Sequence, residues 1–216
     1  MTTILQRIRL TAKLLRRAPA IALVSLVYSS VIHLASLRAD LLDIGDPWWV
    51  VTVGLVLLLS PLYHAFVVGK AAALVRGEPF PLRHYPMESF GDLVVGELLV
   101  NVFVVLGSAL FLLPGIYVGL RLIYYKQIII LHKARPMEAI RQSFRITTAP
   151  RVVFQTFLLL AGAYSIPLAV DFLLPSEPQA WWIHPVAILV STSFIAWVNV
   201  YITLSFDELV GREESA

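Results

Sequence analysis

Four side chains that can carry charge stand inside otherwise apolar stretches of this sequence. Glu97, Arg121, Lys126 and Asp171 are each flanked by runs of Leu, Val, Ile and Phe. An isolated charge in apolar surroundings is costly, so such groups pair with one another, bind a ligand or line a polar pathway. The sequence therefore indicates two chemistries: internal ion pairs that hold helices together, or a route for an ion or solute.

Spacing suggests the partners of the lysine. Asn101 follows Glu97 by four residues, which places both on one face of a helix. Pro114 and Gly115 interrupt the apolar run from 93 to 131, and this pair favours a tight reversal, because Pro ends a helix and Gly tolerates positive φ. A hairpin turning there would let Lys126 reach Asn101 and Glu97.

The other polar groups are assigned in the same way. Arg121 is expected near the opposite end of its span, where Asp171 is the best-placed carboxylate. Asn199, with Thr192 and Thr203, gives the last apolar stretch a polar face, a pattern typical of close helix packing. We therefore favour a structural role for these residues, with a solute pathway as the alternative.

The elements that must position these groups are membrane helices. Hydrophobic residues make up 58% of the chain and charged residues only 14%, whereas soluble domains carry roughly 25% charged residues. A helix needs about 20 apolar residues to cross a bilayer. The sequence predicts an all-α fold, a single membrane domain over 1–216 with six transmembrane helices at 19–37, 47–69, 93–113, 116–131, 152–174 and 183–206.

The distribution of cations predicts an orientation. Of the 17 Lys and Arg residues, 14 lie before the first span, in the loops around 70–83 and 133–151, or after the last span. Positive residues accumulate on the cytoplasmic side, so both termini are expected there, in a bacterial inner membrane. The basic excess is thereby explained without nucleic acid.

Two further segments are predicted to be amphipathic helices at the cytoplasmic surface. Residues 1–18 combine an apolar face with five cations, which is typical of an interfacial helix. Residues 134–148 form the second. Its polar residues would contact lipid headgroups or dock a partner, the former being favoured; they are Glu138, Arg141, Ser143 and Arg145.

One block of the sequence resembles a known family. The residues that carry the resemblance are Gly77, Glu78, Pro114, Gly115, Ile116, Tyr117, Arg121, Glu138, Ala139, Ser143 and Thr147. They resemble the YciC-like proteins and the membrane domain attached to some bacterial glycerophosphodiester phosphodiesterases. That family often has Pro and Glu where this chain has Gln127 and His132. The resemblance implies a multi-pass membrane protein but no hydrolase activity, since the sequence contains no soluble phosphodiesterase domain.

The remaining evidence on function is negative or generic. No catalytic motif such as G-x-S-x-G or H-E-x-x-H is found, and the chain has no cysteine. We therefore expect a non-enzymatic accessory or scaffold protein that binds membrane lipids or a larger membrane-protein complex, including copies of itself. No cofactor or metal is predicted, but bound lipids are. The alternative is a small transporter that uses the polar residues of the third and fourth spans.

Overall fold

The computed structural model describes residues 4–36, 47–80, 88–110, 112–149, 152–158, 160–162, 165 and 183–213. Within these ranges the chain is helical, with connecting turns and no strand, so the predicted all-α class is confirmed. The helices are α1 (Ile4–Arg17), α2 (Pro19–Ser36), α3 (Pro47–Arg76), α4 (Phe90–Leu110), α5 (Leu112–Arg121), α6 (Tyr125–His132), α7 (Pro136–Ile146), α8 (Val152–Gly162) and α9 (Ile183–Glu213).

Three of these helices are long and apolar enough to cross a membrane: α3, α4 and α9. A fourth span results if α1 and α2 are counted together, although the two helices meet at an angle of 86°. Ala18 lies between them, and Pro19 begins α2, as suits a residue that has no N–H to donate within a first helical turn. Helix α8 is apolar but shorter.

Ion pairs join the helix ends on one side of the bundle. Arg7 of α1 contacts Glu208 of α9 at 2.9 Å, and its side chain is only 10% exposed. Arg76, the last residue of α3, contacts the neighbouring Asp207 at 2.8 Å. The start of α1 and the ends of α3 and α9 therefore lie together. A third ion pair, between Lys133 and Glu88 at 2.7 Å, ties the end of α6 to the residues just before α4.

Two apolar cores lie within the described bundle. The first joins α3, α4, α6, α7 and α9 through residues such as Leu93, Ile128 and Phe206, all with no exposed surface. The second joins α1, α2, α3 and α9 through residues such as Ile21 and Val200. Both cores include residues of α3 and α9, which places these two long helices at the centre of the described part of the fold.

The hairpin between the third and fourth predicted spans is present, but it turns earlier than predicted. Helix α4 ends at Leu110 and α5 begins at Leu112, so Pro114 and Gly115 lie inside the first turns of α5. Pro is tolerated there because a first-turn N–H has no partner in the helix. Gly115 is needed for close packing, since a Cβ at this position would overlap the Ser108 side chain of α4.

The fourth predicted span, 116–131, is not one continuous helix. A turn at residues 122–124 separates α5 from α6. Ser143 of α7 bridges the interruption: its hydroxyl donates to the Arg121 carbonyl oxygen at 2.8 Å and accepts the Tyr124 N–H at 3.2 Å. The break is compatible with burial because a neighbouring helix satisfies its backbone groups.

Helix α7 consequently differs from the surface helix predicted over 134–148. Ala139, Ile140 and Ser143 are buried against the first core, while Glu138, Arg141 and Arg145 are exposed. Its inward face therefore packs against the protein rather than against lipid headgroups. Helix α1 also has a protein face, formed by Arg7, Thr11 and Leu14.

Candidate functional site

A buried ion pair lies halfway along the bundle. Lys126 Nζ of α6 is 2.8 Å from Glu97 Oε1 of α4, and the two side chains are 20% and 8% exposed. The α4–α5–α6 hairpin sets this contact by placing Gly96 against Tyr125 and Ile129. A charge removed from water is tolerable only when it is paired and hydrogen-bonded, and each residue meets that need for the other.

Two residues one turn apart on α3 complete the polar network. Ser60 Oγ donates to Glu97 Oε1 at 2.8 Å. His64 Nδ1 lies 2.8 Å from the Ser60 carbonyl oxygen, so the ring proton resides on Nδ1 and Nε2 is left as an acceptor. Lys126 Nζ lies 3.1 Å from that Nε2. Lys126 therefore donates both to Glu97 and to a neutral His64.

Aromatic and amide groups extend the network toward α2 and α9. The Tyr28 and Tyr63 rings stack with centroids 4.4 Å apart. The Tyr63 hydroxyl is 3.1 Å from Ser25 Oγ and accepts from Asn199 Nδ2 at 3.4 Å. Five helices, α2, α3, α4, α6 and α9, thus contribute polar side chains to one connected network.

A cavity of about 530 Å³ adjoins this network. Its wall is mostly apolar, with side chains from α4, α8 and α9 such as Val100, Leu160 and Val198. Its polar lining residues are Tyr28, Tyr63, His64, Tyr125, Lys126, Gln127 and Asn199. An apolar chamber of this volume with a few convergent polar groups has the character of a small-molecule site, since such sites span roughly 300–1,000 Å³.

Gln127 is the unusual member of the lining. It is only 2% exposed, and its Oε1 is buried with no hydrogen-bond partner among the described residues. A buried amide oxygen without a partner costs about 1–3 kcal/mol. Native structures satisfy most such atoms, so a group from outside the described protein atoms is the natural partner for Gln127.

Arg121 occupies a separate site at the break between α5 and α6. Its guanidinium donates to the Thr147 carbonyl oxygen at 2.6 Å and to the Phe144 carbonyl oxygen at 2.8 Å. These are carbonyls at the end of α7, where a helix carries partial negative charge. The Phe144 ring lies 5.2 Å from the guanidinium carbon. Arg121 therefore acts as a helix C-cap that also packs against an aromatic ring.

The predicted site residues are thus divided among different places. The structure brings Glu97 to Lys126, and it puts Asn199 at the cavity. Asn101 lies on the same face one turn farther along α4 and is exposed, so Glu97 is the residue of that face that meets Lys126. Asp171, the expected partner of Arg121, lies outside the described residues.

The sequence analysis missed the contribution of α3. Ser60 and His64 have the i, i+4 spacing that puts two residues on one helical face. His64 is also an ionisable residue near the centre of a long apolar helix, which is by default a sign of a functional position. Those two signals were sufficient to add α3 to the polar site, although they could not identify its partners on α4 and α6.

The arrangement is suited to binding by hydrogen bonds. Among the described residues, no group of three or more His, Asp or Glu side chains is placed to hold a metal ion. Glu97 accepts two hydrogen bonds and Lys126 donates two, so both charges are occupied with internal partners. Besides Lys126, the polar groups that line the cavity are hydroxyl, amide and imidazole groups.

The fold and this site define a helical protein with membrane-length apolar helices and a polar cavity at their mid-length. No protein-family model matches the chain, and no curated protein or solved structure is significantly similar to it. The resemblance described above therefore remains an expectation, and function has to be argued from the site itself.

Proposed function

We propose that this protein is a non-enzymatic, multi-pass membrane protein that binds a lipid-like amphiphile in the mid-bundle cavity, in an accessory role. The observation that carries the proposal is the cavity of about 530 Å³ with an apolar wall and polar groups concentrated on one side. A hydrocarbon chain would lie against residues such as Val100 and Val198. A polar end would face the tyrosines, Gln127 and Asn199.

The proposed setting is a bacterial inner membrane crossed six times, with both termini in the cytoplasm. The contact between Arg7 and Glu208 supports this arrangement, because it joins the first and last described helices at one end of the bundle. The bias of Lys and Arg toward that side supports it as well. A reporter that is active only in the periplasm should remain silent when fused after Ala216; activity there would contradict the arrangement.

Bound ligand is the direct test of the proposed function. Protein extracted from native membranes in mild detergent should retain a small molecule detectable by mass spectrometry. Ile195→Trp should reduce that retention strongly, because Ile195 lines the cavity and the larger side chain would fill it. Leu189→Trp is the matched control: it lies on the same helix, is 53% exposed and is not among the lining residues.

Equal retention by the two variants would contradict binding in the cavity. Loss of folding is monitored independently by the thermal unfolding midpoint. Both substitutions replace a residue with substantial exposed surface, so neither is expected to unfold the protein, and changes in exposed apolar positions are usually small.

A carrier that moves the ligand across the bilayer is the second candidate. It is favoured by Lys126 and His64 at the cavity wall, since ionisable groups inside membrane bundles often mark transport pathways. In proteoliposomes, a carrier would accelerate the passage of a fluorescent monoacylglycerol between leaflets, and Glu97→Gln would abolish this effect without loss of folded protein. A binding protein would leave the passage rate unchanged.

A further inference from the structure

The chemistry of the ligand's polar end can be inferred from Gln127. Its Oε1 is fully buried and has no hydrogen-bond partner among the described residues. The same residue lines the cavity. An amide oxygen accepts hydrogen bonds, so the group that complements it must donate one. A hydroxyl group meets that requirement.

The charges around the cavity argue against an ionised ligand. Lys126 is the cation of the lining, and Glu97 already neutralises it at 2.8 Å. A ligand anion would place a second negative charge on one ammonium group, and a ligand cation would lie beside Lys126 with no free carboxylate. Either charge would lose its hydration without gaining an unshared partner.

His64 and the tyrosines agree with a neutral group. The His64 ring donates through Nδ1 to the Ser60 carbonyl and accepts from Lys126 at Nε2, so its proton is already assigned. Tyr63 bonds to Ser25 and Asn199. Among the lining residues, Gln127 is the one with a fully buried polar atom that no described residue satisfies, which makes this amide the position that distinguishes one ligand from another.

We infer that the cavity takes an uncharged long-chain amphiphile with a hydroxyl-bearing polar end, and that Gln127 is its specificity-determining residue. The inference rests on the proposed function, because it names the ligand class of the same cavity. The hydrocarbon chain is held by the apolar wall, and the hydroxyl supplies the donor that Gln127 Oε1 lacks.

Three probes with the same hydrocarbon chain test the inference: 1-monooleoylglycerol, oleyl sulfate and oleyl trimethylammonium. Each is added to full-length protein that has been delipidated and placed in nanodiscs, and the bound amount is measured by mass spectrometry. The neutral probe should bind more tightly than either ion. Gln127→Leu should weaken its binding roughly five- to tenfold, the effect of about one net hydrogen bond. Gln142→Leu on the surface of α7 should have no effect.

The stability of the ligand-free protein distinguishes a role of Gln127 in ligand recognition from a structural role. Replacing an unpaired buried amide by an apolar side chain of similar size removes a desolvation cost. Ligand-free Gln127→Leu should therefore unfold at the same temperature as the wild type or higher. A clear destabilisation would overturn the inference, because it would show that Gln127 has a partner within the protein.

The remaining outcomes are equally informative. Equal or tighter binding of an ionic probe, or unchanged binding in Gln127→Leu, overturns the inference; the latter would mean that water alone satisfies the amide. If Ile195→Trp then removes all binding, the cavity still stands as a ligand site and only the ligand class is wrong. If the wild type binds no probe more than Ile195→Trp does, the proposed function fails as well.

Discussion

The molecule buries two cations in two different ways. Lys126 is neutralised by a carboxylate on another helix, shares its remaining hydrogen bonds with a histidine and borders a cavity. Arg121 has backbone carbonyls at the end of α7 as its partners and is not among the residues that line the cavity. They are five positions apart in sequence, yet one lies in a polar side-chain network and the other caps a helix end beside a break between helices.

This difference shows that the role of a buried charge can be inferred from its partners. A full opposite charge is needed for Lys126 because its ammonium is a compact point charge. The planar guanidinium of Arg121 spreads its charge over several donors, and two neutral carbonyls accept from its terminal nitrogens. A cation that borders a cavity is a candidate for function, whereas one that is enclosed by helix ends is a candidate for architecture.

Breaking the ion pair should produce the largest effect. Glu97→Gln leaves Lys126 buried without a counter-charge. Lys126→Met leaves Glu97 buried without one. Loss of one partner of a buried pair costs about 3–5 kcal/mol. The double variant should lose much less than the sum of the two, because no charge is left stranded. Denaturant or thermal unfolding in detergent measures the three free energies of unfolding.

Glu138→Gln is the control for that comparison, since Glu138 is exposed and its contact is a 3.2 Å hydrogen bond from Gln142. It should change the free energy of unfolding by less than about 0.5 kcal/mol. Additive losses in the double variant would show that Glu97 and Lys126 do not stabilise each other and would remove the distinction between the two cation sites.

Breaking the Arg121 region should cost less. Ser143→Ala removes the hydroxyl that pairs with the Arg121 carbonyl and the Tyr124 N–H. The Arg121 carbonyl still accepts from the Thr147 hydroxyl at 3.0 Å, so the buried Tyr124 N–H is the group left unpaired, at about 1–3 kcal/mol. Ligand binding should stay at the wild-type level because Ser143 does not line the cavity. The control is Ser193→Ala, whose hydroxyl bonds within an exposed part of α9. A large loss of binding in Ser143→Ala would show that the two regions are coupled.

Much of the fold could be predicted from local sequence pattern. Apolar length is a property of the chain itself, and it gave α3, α4 and α9 correctly as membrane-length helices. The hairpin before Lys126 was also predicted, although its turn was placed at Pro114 and Gly115. Those residues have the chemistry of a turn, but Pro also suits a first helical turn and Gly also permits close packing. Only tertiary contact with Ser108 selects between these roles.

The site was predicted less completely for a physical reason. Which carboxylate meets Lys126 depends on helix register, and a shift of one turn exchanges Asn101 for Glu97. The break at 122–124 contains no Pro or Gly that would predict it from sequence. It depends on Ser143 and Arg121, which satisfy backbone groups across helices. The partners of His64 likewise come from two other helices, so no local pattern could reveal them.

The central claim is that a polar cavity open to a ligand lies between these apolar helices, and a single labelling experiment tests it most directly. The chain contains no cysteine, so Val198→Cys in the cavity wall and Val102→Cys, at a position 53% exposed on the outside of α4, can be compared without background. A thiol reacts only as its thiolate, which needs a polar setting. In delipidated nanodiscs, N-ethylmaleimide should modify the cysteine at 198 and not the one at 102, and 1-monooleoylglycerol should slow that modification. Equal inertness of the two cysteines would contradict the account.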